Sequence, residues 1–156
     1  MKAILISIRP QWVAKILNGE KTIEIRKKFP KDYIGWVYIY CTKDKKYANL
    51  INRGGFLTGM VVVRFWCDKV EPAYKFYVEE LCQLACTTEE ELYKYAGGWF
   101  KTDDLFAIHI TKLEIFDEPK EIEFLRPQPI WKTSNNHYYK SYQLTRVPQS
   151  WCYIEV

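Results

Sequence analysis

Apolar and polar positions follow two different periods along this chain. Ala3 to Ile8 (AILISI) is a short, β-branched apolar run and predicts a strand. Pro10 suits the first turn of a helix, where its missing N–H costs nothing. Trp12, Val13, Ile16 and Leu17 then recur at helical spacing and mark one apolar face. Asn18-Gly19 predicts the helix end, because Gly accepts the left-handed conformation of a C-terminal cap. In Thr22-Ile23-Glu24-Ile25-Arg26 the period becomes two, so Ile23 and Ile25 are expected to face the core and Thr22, Glu24 and Arg26 the opposite side.

Further along, Phe29-Pro30-Lys31-Asp32 reads as a turn and Trp36 to Thr42 as a strand, with Val37, Ile39 and Cys41 alternating against Trp36, Tyr38, Tyr40 and Thr42. The basic stretch Lys43 to Gly55 predicts a loop or a short helix with a turn. Leu57 to Val70 is the longest β-rich run, with Gly59 a candidate bulge. Val78 to Ala85 predicts a helix. A second helix starts at Thr88, which stands at capping-box spacing from Glu91, and ends at Gly97-Gly98. Leu105 to Phe116 is strand-like, Arg126 to Asn136 is loop-like, and Trp151 to Val156 is a last strand. Strands outnumber helices and do not alternate with them as βαβ units, which points to a small, partly open barrel rather than a doubly wound sheet.

The length of 156 residues fits one domain, 1–156, large enough to need no disulfide or metal to hold its core. Hydrophobic residues at 48% and charged residues at 27% exclude a disordered tail, a coiled coil and a fibrous repeat. Aromatics, at 17%, are the outlier, and exposed rings favour stacking on bases or other flat ligands. Five cysteines (Cys41, Cys67, Cys82, Cys86 and Cys152), mostly within apolar runs, read as reduced core thiols. No apolar run approaches the ~20 residues that cross a bilayer. The N-terminus lacks the long apolar region and cleavage site of a signal peptide, so a cytoplasmic protein with no membrane partner is expected.

Net charge is +4, unevenly spread. Residues 1–69 hold 14 Lys/Arg against 5 Asp/Glu, residues 70–125 hold 5 against 13, and residues 126–156 hold 4 against 1. Basic ends flanking an acidic middle can attract phosphate, or the lysines can simply solvate loops.

The most informative segment is Gly19-Glu20-Lys21-Thr22-Ile23-Glu24-Ile25-Arg26. A Gly-capped helix running straight into a strand puts Lys21 at the turn and sets Glu24 and Arg26 on one strand face, about 6.5–7 Å apart. Glu24 can accept hydrogen bonds from a base edge or an exocyclic amine, while Lys21 and Arg26 can hold phosphate or a carbonyl oxygen. The same residues can also form a plain Glu24–Arg26 or Glu24–Lys21 ion pair at a strand edge. If they bind ligand, Glu24→Ala and Lys21→Ala are expected to abolish binding with the melting temperature nearly unchanged.

The pattern G-x-K-T-x-E-x-R after a strand and a short helix resembles the signature of the ASCH domain family. Ser7-Ile8-Arg9-Pro10, Tyr38-Ile39-Tyr40-Cys41-Thr42, Ala107-Ile108-His109-Ile110 and Pro148-Gln149-Ser150-Trp151-Cys152-Tyr153 extend the resemblance to the ASCH-like proteins of phages and prophages. It implies an α+β fold, a small PUA-like mixed β-barrel of about five to seven strands with about two to four peripheral helices. It also implies a cleft for RNA, a nucleotide or a modified nucleobase, lined by Ser7, Arg9, Lys21, Glu24, Arg26, Tyr40, Thr42, His109, Ser150 and Trp151. No cofactor or metal is expected, and a monomer is favoured with the oligomeric state left open.

Small ASCH-type enzymes hydrolyse N4-acetylcytidine with Lys, Thr and Glu, and other members are ribonucleases. Lys21 matches the family's lysine, but Glu24 stands at the position of its threonine, and a carboxylate cannot replace a hydroxyl as acyl acceptor. Thr22 is one pleat away, and Glu89, Glu90 and Glu91 are the candidates for the remaining carboxylate. The resemblance therefore implies a binding module first. The alternatives are a hydrolase or ribonuclease using Lys21 and Glu24 as acid and base, and a phage protein that sequesters a small nucleotide. Cys82 and Cys86 at i, i+4, with His109 and His137, lack the spacing of a zinc ribbon or finger. His109 reads equally as a core histidine or as cleft lining, and Trp131 and Tyr153 as core or stacking residues.

Overall fold

In the computed structural model, residues 1–46, 58–127, 144 and 146–156 are described. The first strand shows how the sequence dictates the architecture. β1 (Lys2–Ile8) carries an unbroken apolar run, and such a run suits a strand covered on both faces. It lies inside a sheet, parallel to β3 (Gly35–Cys41) on one side and antiparallel to β9 (Trp151–Glu155) on the other. Ala3, Ile4, Leu5 and Ile6 are fully buried. Burying each of the three larger side chains stabilises by about 1.5–3 kcal/mol.

The helix predicted from Pro10 is α1 (Pro10–Leu17), with Val13 and Ile16 buried and Trp12 and Leu17 half-buried. It leads to β2 (Ile23–Arg26). After β3 come β4 (Met60–Cys67) and the short β5 (Val70–Pro72). Two helices follow, α2 (Val78–Ala85) and α3 (Glu89–Ala96), at the residues their periodicity indicated. The capping box of α3 is complete. The Thr88 hydroxyl accepts from the Glu91 N–H, and the Glu91 carboxylate accepts from the Thr88 N–H. Gly97, in the left-handed region, ends the helix. The chain closes with β6 (Phe106–His109), β7 (Thr111–Lys120), β8 (Arg126–Pro127) and β9.

These strands form a six-stranded sheet in the order β7-β4-β3-β1-β9-β8 and a three-stranded sheet in the order β2-β6-β5. The fold is mixed α+β, as expected, and the described strands form two sheets with no closed barrel. The connection from β1 to β3 also joins parallel neighbours through α1 and β2, a crossover that the sequence did not suggest. The long run ending at Val70 divides into β4 and β5, and Gly59 sits in the turn before β4, donating its N–H to the Cys41 carbonyl. Leu105–Phe116 likewise divides into β6 and β7, where Lys112 takes a positive φ of 43°. Arg126 and Pro127, expected in a loop, pair with β9. The rest of that loop, Trp131, His137 and most of the Lys43–Gly55 stretch lie outside the described residues.

The chain divides into two compact units. One comprises Met1–Pro10, Trp36–Arg64 and Glu114–Val156; its core gathers Ala3, Leu5, Tyr38, Tyr40, Val61 and Ile154. The other comprises Gln11–Gly35 and Phe65–Leu113, with Ile23, Leu81, Cys82, Leu92, Leu105 and Ala107 at its core. Among the described residues no helix is long and apolar enough to cross a membrane. All five cysteines are free. Burial pushes the Cys41 thiol up to about 12 and the Cys67 thiol to about 11.

Candidate functional site

The segment singled out in the sequence occupies the junction of α1 and β2. α1 ends with the Gly19 N–H on the Ile16 carbonyl, and Gly19 takes a φ of 81° that few side chains would tolerate. The Lys21 N–H then returns to the Lys15 carbonyl, which fixes the backbone from which the Lys21 side chain departs. On the other side of the junction, the Thr22 N–H donates to the Leu84 carbonyl of α2.

Lys21 and Glu24 are both buried, at 5% and 6% exposure. The Lys21 ammonium donates to the Ala85 carbonyl at the end of α2 (2.8 Å) and lies 3.2 Å from Glu24 Oε2. It also stands 5.6 Å from the centre of the Trp12 ring. Arg26 Nε donates to Glu24 Oε1 at 2.9 Å. One carboxylate is thus clamped between an ammonium and a guanidinium, each cation taking a different oxygen. Both ion pairs anticipated from the sequence form together. Alternation placed Ile25 toward the core and Glu24 on the opposite face, but Glu24 is more buried than Ile25, because the end of α2 reaches the junction through Ala85. The clamp still has bonding capacity. A carboxylate has about four acceptor directions and an ammonium three donors. Glu24 accepts a hydrogen bond from Arg26 and Lys21 donates one to the Ala85 carbonyl, and the two groups meet each other as an ion pair.

Tyr95 of α3 belongs to the surroundings of this clamp and carried no signal in the sequence. It exposes about two-fifths of its surface. Its hydroxyl end is desolvated, which raises its pKa, while the charge of Arg26 and the Lys27 backbone N–H oppose the shift and the charge of Glu24 adds to it. The Lys27 ammonium lies 5.2 Å from the centre of its ring.

His109, at the end of β6, is opposite Ile23 in the three-stranded sheet. Its Nε2 is 2.8 Å from Glu71 Oε2, and the other Glu71 oxygen is 2.7 Å from the Lys69 ammonium. Glu71 is held below the usual carboxylate range by the hydrogen bond from Lys69, with His109 adding to it against a smaller cost of burial. Glu71 was not singled out in the sequence, because only the pairing of β5 with β6 brings it beside His109. A cavity of about 290 Å³ in the same unit is lined by Lys31, Tyr74, Asp103, Asp104 and Phe106 among others, none of them expected at the site.

The six other expected site residues belong to the first unit. Ser7 is buried, donating its hydroxyl to the Pro148 carbonyl and its N–H to the Ser150 carbonyl. Tyr40 is a core residue at 6% exposure, its hydroxyl pKa raised by burial. Thr42 and Ser150 are half-buried and Arg9 is exposed. Trp151 is half-buried and meets Tyr153 edge-to-face with ring centres 5.4 Å apart.

No protein-family model matches the sequence, and no curated protein matches it. Solved structures do. The ASCH protein of Zymomonas mobilis superposes with a TM-score of 0.57 over 98% of this chain and 87% of its own, at 15% identity. A Tyr-to-Phe mutant of that protein gives 0.58 over 78% and 77%, at 17% identity. A Ser-to-Ala mutant gives 0.57 over 76% and 73%, again at 17% identity. At such identities the likeness is one of backbone, and the chain shares its fold with the ASCH protein of Zymomonas mobilis.

Proposed function

We propose that this chain is an ASCH-type, PUA-like binding module that takes a nucleobase or nucleotide, free or within RNA, at the Lys21–Glu24–Arg26 clamp. The observation that carries the reading is the Glu24 carboxylate, buried and oriented by one cation on each oxygen. Such a carboxylate is a rigid acceptor for the exocyclic amine or ring N–H of a base. The neighbouring ammonium offers a donor for a base carbonyl or a phosphate oxygen. The motif Gly19-Glu20-Lys21-Thr22-Ile23-Glu24-Ile25-Arg26 and the shared fold both support an ASCH-type module of this kind.

Binding is favoured over hydrolysis by the position of Thr22. It is the one hydroxyl of the segment, and it is exposed while Lys21 and Glu24 are buried. The acyl acceptor of a Lys–Thr–Glu mechanism would have to sit beside the lysine's ammonium.

Native mass spectrometry of the purified chain, followed by amide chemical-shift mapping with the four ribonucleoside monophosphates and a short oligoribonucleotide, tests the proposal. The expected result is a bound nucleotide or oligonucleotide, or shifts at Lys21, Glu24 and Arg26, either of them lost in Glu24→Gln. An empty protein whose amides respond to none of these ligands overturns it. Turnover of N4-acetylcytidine or RNA, abolished by the same substitution, would replace binding with catalysis.

A further inference from the structure

Beyond the clamp, the second unit exposes aromatic rings that its core does not use. Trp99 and Phe100 follow Gly97-Gly98 at 72% and 63% exposure, their ring centres 6.0 Å apart and edge-to-face. They are not loose. The turn Trp99–Asp104 is closed by the Thr102 hydroxyl on the Trp99 carbonyl and by the Lys101 N–H on the Gly98 carbonyl. Thr102 and Leu105 bury its far end in the core. The Phe100 ring lies against Gly98 so closely that a Cβ there would come within 2.7 Å of it. The backbone thus holds two large rings out in water, against the hydrophobic preference, and exposed apolar patches of this kind mark interaction sites.

Two of the rings on this surface carry a lysine. The Lys101 ammonium is 5.8 Å from the centre of Phe100, and that of Lys27 is 5.2 Å from the centre of Tyr95. Helix α3, which carries Tyr95, packs against the Trp99–Asp104 turn. Lys27 follows Arg26 of the clamp in the chain and stands on the Tyr95 ring, so this surface continues from the clamp. Protein–protein interfaces favour aromatics but are depleted in lysine. Aromatic rings interleaved with lysines are the arrangement that single-stranded nucleic acid uses, bases stacking on rings and phosphates meeting cations. Asp103 and Asp104, on the same turn, line the cavity with Lys31 and Tyr74.

We infer that Tyr95, Trp99 and Phe100, with Lys27 and Lys101, form a stacking platform for a single-stranded oligonucleotide, one base of which enters the Lys21–Glu24–Arg26 clamp. This rests on the proposed function and deepens it, making the ligand a polymer rather than a free nucleotide.

The test is fluorescence anisotropy of a fluorescein-labelled, random-sequence octaribonucleotide, beside chemical-shift titration with a mononucleotide mixture. The proteins are the unaltered chain, Trp99→Ala/Phe100→Ala, Lys27→Gln/Lys101→Gln and Glu24→Gln. The ring variant is expected to bind the octamer about tenfold more weakly per lost ring, with mononucleotide binding unchanged. The lysine variant is expected to flatten the dependence of log affinity on log salt by about 1.4. Should the ring variant misfold, as circular dichroism would show, the lysine variant decides alone. The platform is overturned if both variants bind the octamer as the unaltered chain does while Glu24→Gln does not, or if the octamer does not bind while mononucleotides do. Loss of octamer in the ring variant but not in Glu24→Gln would retain the platform and overturn the clamp reading instead.

Discussion

Lys21 and Glu24 stand three residues apart, one before β2 and one within it, with Nζ 3.2 Å from Oε2 and both side chains more than nine-tenths buried. Around this pair local sequence, packing and chemistry meet. Gly19 turns the chain out of α1, the end of α2 supplies a carbonyl to the ammonium, and the carboxylate is left with an orientation that two cations enforce.

Removing one member of such a clamp leaves an uncompensated buried charge. Glu24→Ala or Lys21→Ala is expected to cost about 3–5 kcal/mol, which for a chain of this length lowers the melting temperature by roughly 6–20 °C. Their burial argues against the sequence-based expectation that alanine at either position leaves the melting temperature nearly unchanged, and thermal unfolding of the two variants decides between them. Glu24→Gln keeps the shape and is the variant for ligand assays. A double-mutant cycle of Lys21→Met and Glu24→Gln in urea is expected to return a coupling of about 0.5–3 kcal/mol. Additive effects would show that the two groups do not sense each other.

Much of the fold could be read because periodicity and end signals agreed. Glu89–Ala96 combines helical spacing with a clear start and stop, and the Thr88–Glu91 box forms as the spacing required. Val78–Ala85 was legible from its spacing alone, since Tyr77 caps it with no side-chain bond and Cys86 ends it at a positive φ. Signals failed where tertiary structure overrode them. The break at Ile110 has no Gly or Pro beside it, and Lys112 just beyond takes a positive φ without being Gly or Asn, so nothing in Leu105–Phe116 announced it. Alternation placed Glu24 on the face opposite the core, yet the chain from α2, some 60 residues on, reaches that face and buries it. For the same reason Ala85, Glu71 and Tyr95 were invisible as site residues. A carbonyl that accepts at a helix end, and a carboxylate brought up by strand pairing, leave no local pattern.

Glu71 gives a pH-dependent signature. Its carboxyl is held below its ordinary value, first by the hydrogen bond from Lys69 and next by His109. A depressed folded-state pKa contributes stability that is complete above the unfolded value near 4.5 and disappears as pH falls through the lower folded value. Glu71→Gln is thus expected to be less stable than the unaltered chain at pH 7, by on the order of 1 kcal/mol because Lys69 is more than half exposed and water screens the pair. The difference should shrink steadily below pH 4.5. Urea titrations at pH 7, 4.5 and 3 check it, and a pH-independent difference would show that shape, not charge, matters at this position.

The capping box starts α3, the helix that carries Tyr95, and its loss should be felt in two ways. Thr88→Ala removes the acceptor of the Glu91 N–H and is expected to cost about 1 kcal/mol, lowering the melting temperature by roughly 2–4 °C. Thr88→Ser, which keeps the oxygen, should recover most of this. Hydrogen exchange is expected to quicken at the first turn of α3 and not in α2. Equal quickening in both helices would mean that the two unfold as one unit.

The buried thiols make the last prediction. Thiolate is the reactive form, and burial drives Cys41 to about 12 and Cys67 to about 11, with Cys82 and Cys152 also raised by burial. At pH 8 a thiol of pKa 11 is about 0.1% ionised even where reagent can reach it, and Cys41 and Cys67 are fully buried. Iodoacetamide at pH 8 is therefore expected to leave Cys41 and Cys67 unlabelled in the native protein and to label all five cysteines in 6 M guanidinium, as peptide mass mapping would show. Rapid native labelling of Cys41, which lies in β3 inside the six-stranded sheet, would mean that this strand is not covered on both faces, and would overturn the arrangement of the first unit's core.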